Sequence, residues 1–285
     1  MMTTYCYTVG DITVTVLHAG GNDAIPIEQF VGRFPGVELD AFKQARADIG
    51  RSTEVTETSL NPFLIETDGQ RILMDTGLGG EEDAVVAALA EIGVSPADID
   101  VVFISHLHPD HFNGLLKADG TLTYPNATLK IAELEWNAWL TDEALEEIAK
   151  RDENLANGLK AKVVPATEQM TVEKLQSGDV LAPGVTIFDA VGHTPGHSGL
   201  MIESNGEKLF CTVDAAHQLV QMANIDWSIV FDTYPEVSPK TRERLFTRAA
   251  EEDLVVLTYH FPFPGLGKIT KLEKGFRWEP LDTSE

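Results

Sequence analysis

Runs in which every second position is apolar recur along this chain, separated by stretches whose apolar positions return every three to four residues. ITVTVLH, residues 12–18, alternates strictly and predicts a strand with one buried face. NPFLIETDGQRILMDTG reads as two strands joined at Asp68-Gly69, residues that tolerate the positive φ of a tight hairpin. EEDAVVAALAEIG has a helical period, and SPADID then returns the chain to the buried strand VVFIS. TLKIAE predicts a further strand, and ELEWNAWLTDEALEEIAKRDENL a helix. TIFDAVG, GLMIES and KLFCTVD form a second group of strands. SPKTRERLFTRAAEED is a helix with Ser238 as its cap before Pro239, and LVVLTYH is the last buried strand. Residues 21–58 are expected to be irregular, apart from a helical patch around DAFKQARADIG.

Two strand-rich halves, each followed by helices, predict an α+β chain: a β-sandwich covered by helices on both outer faces. The spacing lacks the regular βαβ repeat of a doubly wound sheet or a TIM barrel. No repeat, low-complexity stretch or Gly/Ser linker marks a boundary. Residues 1–285 are therefore expected to form one domain, with 21–58 as a lid or a dimer contact.

Composition narrows the partners. An apolar content of 43% is enough for a sizeable core. No run approaches the roughly 18 consecutive apolar residues that span a bilayer. MMTTYCYTVGD lacks the pattern of a secretory signal, so a cytoplasmic location is expected. Lys+Arg number 21 against 45 Asp+Glu, a net charge of −24. Nucleic-acid binding depends on cationic side chains, so this field argues against DNA, RNA and anionic membranes as partners. Cys6 and Cys211, both in strand-like text, read as buried thiols rather than a disulfide framework.

The chemistry gathers at strand ends. SHLHPDH places His106, His108, Asp110 and His111 directly after VVFIS, in a chain with only 8 histidines. His193 follows TIFDAVG, Asp214 closes KLFCTVD, and His260 closes LVVLTYH. Strand ends converging on one edge of a sandwich would bring five imidazoles and two carboxylates together. Those are ligands that zinc and similar divalent ions prefer. Alternate residues of an extended strand end face one side, so His106 and His108 can grip one ion while Asp110 and His111 face another. Seven ligands exceed one tetrahedral ion and suit a pair roughly 3.5–4 Å apart. The absence of cysteine favours a catalytic over a closed structural site.

SHLHPDH resembles the His-x-His-x-Asp-His signature of the metallo-β-lactamase superfamily. GHTPGHS, the aspartate of TVD and the late strand-end histidine follow in that superfamily's order, and the resemblance covers about Leu60 to Gly267. It implies a four-layer αββα sandwich and two divalent metal ions, zinc foremost, with manganese, iron or cobalt as alternatives. It assigns His106, His108 and His193 to one ion, Asp110, His111 and His260 to the other, and Asp214 to both. His197 becomes a supporting residue; Asp75 is either a support for the ligands or a structural turn residue. Asp214 stands where most true β-lactamases carry cysteine or serine. DAAH (Asp214, His217), FDTYPEVSPKTRERLF and HFPFPGLGKI are similar to the branch containing methyl parathion hydrolase and some acyl-homoserine lactonases. That branch implies a hydrolase acting on lactone or ester carbonyls or on phosphotriesters, with a small uncharged or apolar substrate and a homodimeric assembly. Asp110 would move a proton to the leaving group. His217 is open between an oxyanion donor and a structural histidine. Phe261, Phe263 and Trp136 are the aromatic candidates for the pocket, and a redox or metal-binding protein without hydrolysis is the alternative.

Overall fold

The computed structural model describes residues 3–282. Strands β1 (Thr4–Val9) and β2 (Ile12–Leu17) form a hairpin, and β3 (Gly21–Pro26) pairs with β4 (Val55–Ser59) in a separate ribbon. β5 (Phe63–Thr67) and β6 (Gln70–Met74) turn at Asp68 and Gly69, whose φ angles of 49° and 76° are the pair of positive values expected of that dipeptide. β7 (Val101–Ile104), β8 (Thr128–Ala132) and β9 (Val172–Leu175) then add in parallel, giving a seven-stranded sheet ordered β1-β2-β5-β6-β7-β8-β9. The second seven-stranded sheet runs in chain order: β10 (Val180–Ala182), β11 (Val185–Asp189), β12 (Ser198–Ser204), β13 (Glu207–Val213), β14 (Val255–Thr258), β15 (Leu266–Lys271) and β16 (Phe276–Pro280). Only its β13–β14 pair is parallel, bridged by the helix Ser238–Glu251.

Side-chain alternation explains the layers. On β6 and β7, Ile72, Met74 and Phe103 point inward and meet Ile187, Leu200, Leu209 and Leu257 of the other sheet. Leu73, Val102 and Ile104 point outward, under Val85 and Leu89 of the helix Ala84–Glu91 and Leu159 of the later helices. On the far side, Phe210 and Val256 pack beneath Leu245, Phe246 and Ala249 of Ser238–Glu251. Each fully buried side chain of this kind stabilises by roughly 1.5–3 kcal/mol. Central strands apolar on both faces thus require helices on both sides, and the chain forms the expected four-layer αββα sandwich.

Several local expectations need correction. Residues 21–58 hold the β3–β4 ribbon besides the expected helical patch, which is Leu39–Asp48, and Phe30, Phe34 and Phe42 pack with Ile229 and Trp227. The helical text after TLKIAE breaks into Glu133–Trp139, Asp142–Arg151 and Glu153–Gly158, with Thr141 and Asp152 capping the second and third. Ser238 does not cap the helix it begins; its hydroxyl is buried without a partner among the described residues. Cys211 is buried but Cys6 is exposed, because Tyr5 and Tyr7 take the inward positions of the edge strand β1. No described helix is long and apolar enough to cross a membrane.

Candidate metal centre and cavity

The histidine-bearing loops leave the same rim of the sandwich because β6, β7, β13 and β14 all end there. A register shift in the β13–β14 ladder between Cys211 and Val213 turns the chain, and Val213 adopts φ 47° to present Asp214. A β-branched residue in that region carries a cost of order 1–3 kcal/mol, typical of backbone held in place by a functional site. Asp75, at φ 62°, does the same at the end of β6.

Asp214 Oδ2 is the centre of the cluster. It lies 3.0 Å from His260 Nε2, 3.3 Å from His193 Nε2, 3.4 Å from His111 Nε2 and 3.7 Å from His106 Nε2. On one side His108 Nδ1 is 3.2 Å from His106 Nε2 and 2.9 Å from His193 Nε2. On the other, Asp110 Oδ2 is 3.5 Å from His260 Nε2 and 3.7 Å from His111 Nε2. His106, His108 and His193 form one group whose donor atoms lie within 4.8 Å of one another, and Asp110, His111 and His260 form another. All seven residues expected to meet do so.

The electrostatics divide the imidazoles into two kinds. Burial, reinforced by neighbouring imidazoles, holds His106 and His108 well below the usual histidine range. Burial also opposes charge on His111 and His193, but their carboxylate neighbours outweigh it and raise both, His193 to about 9. His111 Nε2 and Asp214 Oδ1 are buried with no hydrogen-bond partner among the described residues. Orphaned buried donors and acceptors are costly unless something binds them. Imidazole nitrogens and carboxylate oxygens without a thiolate suit divalent ions of the zinc class, so the donor set fits two such ions.

A ring of further contacts fixes the imidazoles. Asp75 Oδ2 lies 2.8 Å from His111 Nδ1 and accepts the Ser105 hydroxyl at 2.8 Å, while Asp75 Oδ1 accepts Ser105 N. Asp75 thus braces the His111 ring and Ser105, and its backbone also makes the turn. Asp232 Oδ1 sits 2.9 Å from His193 Nδ1, and His260 Nδ1 is 3.1 Å from the Ser59 carbonyl oxygen. Such contacts set tautomer and ring orientation. His197 is not among the converging donors: Nδ1 lies 2.9 Å from the Ala190 carbonyl oxygen and Nε2 accepts Asp214 N at 3.3 Å. Burial lowers its pKa to about 3, so it stays neutral while it anchors Asp214.

Glu135 was not legible in the sequence. Its buried carboxylate accepts Leu107 N at 2.8 Å, the Thr194 hydroxyl at 2.8 Å and Gly196 N at 2.7 Å. It therefore ties the 106–111 loop to the 193–197 loop. Gly196 is required there, since a Cβ would approach Glu135 N to 2.1 Å. Asp232 lay unmarked inside FDTYP; its only signal was an acid amid apolar text one loop beyond Asp214.

A cavity of about 1100 Å³ opens onto the cluster, with His108, Asp110, Asp214, His217 and His260 in its floor. His217 Nε2 is 3.3 Å from Asp214 Oδ2, its ring stacks on His260 at 4.9 Å, and Nδ1 is buried without a partner among the described residues. The aromatic candidates do not line this cavity. Phe261 is buried against Trp278, Phe263 packs against His18, and Trp136 lies under the Lys174 ammonium. Phe261 and Phe263 follow His260 in a turn that carries them away from the cluster, and Trp136 lies on the helix Glu133–Trp139, so proximity in sequence misled. The walls come instead from Trp139, Ile148 and Leu155 on one side, and Phe30, Ile229 and Phe231 on the other.

The profile of the metallo-beta-lactamase superfamily matches residues 55–260, and the chain belongs to that superfamily. Within it, the chain is similar to an N-acyl homoserine lactonase of Bacillus sp, 28% identical over 180 residues, 54% of this chain and 63% of that protein. The match thus spans less than two thirds of that relative. Two solved structures are alike over nearly their whole length. One is AidC, a dizinc quorum-quenching lactonase in complex with a product (TM-score 0.86, 26% identity, 99% of this chain and 98% of that one). The other is the hydrolase AbOPH (TM-score 0.86, 26% identity, 100% and 99%).

Proposed function

We propose that this chain is a dinuclear metal-dependent hydrolase that adds water to the carbonyl of a lactone or ester. One observation carries the reading: a single carboxylate oxygen, Asp214 Oδ2, stands within 3.0–3.7 Å of imidazoles from both three-residue groups. A shared acceptor between two complete half-sites is the arrangement of a pair of ions, not of one. His106, His108 and His193 would hold the first ion, Asp110, His111 and His260 the second, and Asp214 both. Bound zinc-like ions would supply Lewis acidity and water acidified to a usable nucleophile near neutral pH. The lactonase named among the relatives and the dizinc lactonase among the structural neighbours support both the metal and the substrate class.

The chain's own residues supply the rest. Asp110 borders both the second half-site and the cavity, and its carboxylate would carry a proton to the leaving alkoxide. His217 lines the same floor, and an N–H on its Nε2, 3.3 Å from Asp214 Oδ2, would be the donor to the oxyanion that develops on the carbonyl. The wall built by Phe30 and Thr58 gives residues 21–58 a part in closing the cavity.

Metal analysis and a panel of acyl-homoserine lactones, aryl esters and methyl-substituted phosphotriesters test the reading. Two zinc-like ions per chain with turnover of lactones or esters are expected. One redox-active iron per chain with oxygen consumption would overturn it. Asp214→Asn should lower occupancy of both ions together; loss confined to one ion would remove the shared role. His217→Ala should lower lactone kcat by about 10²-fold with metal content unchanged, and an unaltered kcat would reduce His217 to a structural histidine.

A further inference from the structure

The cavity wall contains an arginine whose guanidinium has no counter-ion among the described residues. Of the nine arginines in the sequence, seven pair with a carboxylate: Arg46 and Arg51 with Glu57, Arg71 with Glu66, Arg242 with Asp232, Arg244 with Asp189, Arg248 with Glu252 and Arg277 with Glu279. The other two, Arg33 and Arg151, both line the cavity. Arg151 is close enough to Glu147 to help hold that exposed carboxyl below its usual range, behind Lys150. The Arg33 guanidinium forms no ion pair among the described residues. Lysines without an ion pair among the described residues, such as Lys117 and Lys240, are common in this chain; among its arginines, a guanidinium without an acid is the exception.

Arg33 is exposed, and aromatic rings position its side chain. The Arg33 guanidinium carbon lies 4.8 Å from the centre of the Phe30 ring and 5.9 Å from that of Phe231. Aromatic contacts of this kind engage the flat face of a guanidinium and leave its N–H edges free. The backbone beneath is fixed, since the Arg33 carbonyl oxygen accepts Val230 N at 2.8 Å and buried Phe30 and Phe34 flank it. The acids in the same cavity are committed elsewhere: Glu147 to Lys150, Asp152 to Leu155 N, Asp232 to His193 and Arg242, and Asp110 and Asp214 to the histidine cluster.

We propose that Arg33 is a specificity-determining residue that binds a carboxylate carried by the substrate at the end remote from the scissile carbonyl. The inference rests on the reading of this cavity as the hydrolase's substrate site and goes beyond the uncharged substrate expected from the sequence. A planar carboxylate matches the guanidinium edge with two parallel N–H···O bonds, a match that a neutral chain end cannot make. The local cation also offsets the repulsion that the acidic surface imposes on an anionic substrate. The favoured class is therefore a lactone or half-ester whose acyl chain ends in a carboxylate.

The metal-loaded full chain is assayed with paired para-nitrophenyl esters: the hexanoate, and the monoester of adipate, which differs only in its terminal carboxylate. Monoesters of suberate and sebacate vary the reach. At the best chain length, Arg33→Gln should lower kcat/KM for the carboxylate ester roughly tenfold or more, mainly through KM, and leave the hexanoate within about twofold. Arg33→Lys should restore part of the loss, and raised salt should shrink the preference. Equal effects on both esters, or no carboxylate ester sensitive to Arg33, would overturn the inference while leaving the hydrolase reading intact. If neither ester turns over, the hydrolase reading is what fails. Calorimetry with adipic acid monoamide against hexanamide then decides for Arg33: roughly tenfold weaker binding of the acid by Arg33→Gln supports the anion site, and equal or absent binding overturns it.

Discussion

Glu135 shows how much can depend on one side chain that touches none of the converging donors. Its carboxylate is pushed up in pKa by burial, against the pull of the Leu107 and Gly196 amides and the Thr194 hydroxyl. Glu135→Ala leaves two buried N–H groups without acceptors, each worth about 1–3 kcal/mol, so a loss of about 3 kcal/mol in thermal or urea unfolding is expected. Because the carboxylate spans both histidine loops, metal affinity should fall as well, by about 10- to 100-fold, the range found when outer contacts of a metal site are removed. Glu135→Gln discriminates position from bulk: its amide turns an NH₂ toward one of the two loops, so it should recover stability more than metal affinity. Chelator competition against the unfolding curve checks both. Equal recovery of the two would make Glu135 a packing residue only. Residues of this kind escape a sequence reading for a physical reason. His106 and Asp214 declare themselves by chemical type at strand ends, whereas Glu135 is one acid among 45 and is distinguished only by burial.

At the scale of elements, legibility followed the strength of the local signal. The strands of the core and the Asp68-Gly69 hairpin were readable because alternation and turn chemistry agree there. The β3–β4 ribbon was not: Gly21–Pro26 is mostly exposed, so no apolar alternation marks it, and its pairing spans a 28-residue gap filled by other elements. Nor was the path of the loop carrying His193 and His197. That loop depends on a contact with the helix Glu133–Trp139, which lies in the other half of the chain. Gly196→Ala tests the dependence directly. Its Cβ would stand 2.1 Å from Glu135 N, backbone that cannot step aside without moving the helix. A one-methyl change at a site without positive φ should therefore destabilise by about 2–3 kcal/mol and loosen the ion proposed for His106, His108 and His193 more than its neighbour. Metal titration resolving two affinities reads the difference; two equal losses would show that the loops are not separately clamped.

The molecule as a whole carries a further consequence of its composition. At least 24 of its carboxylates have no lysine or arginine to pair with, and most ion pairs that do form are exposed. Exposed pairs contribute about 0–1 kcal/mol each and weaken with salt. Like-charge repulsion across the surface also weakens with salt, since screening shortens its reach from about 30 Å at 0.01 M to about 3 Å at 1 M. The two effects oppose each other, and their sizes decide the sign. A handful of marginal pairs is set against an excess of negative charge larger than the number of all cationic side chains, so repulsion should win. The metal-loaded protein should melt about 5 °C higher in ~1 M than in ~0.01 M sodium chloride. Chloride is the appropriate salt, because sulfate strengthens apolar burial on its own account. Metal content measured before and after separates screening from loss of the ions. A melting temperature that stays level or falls, with both ions retained, would mean that the exposed pairs act as a network and that the acidic surface costs the fold little.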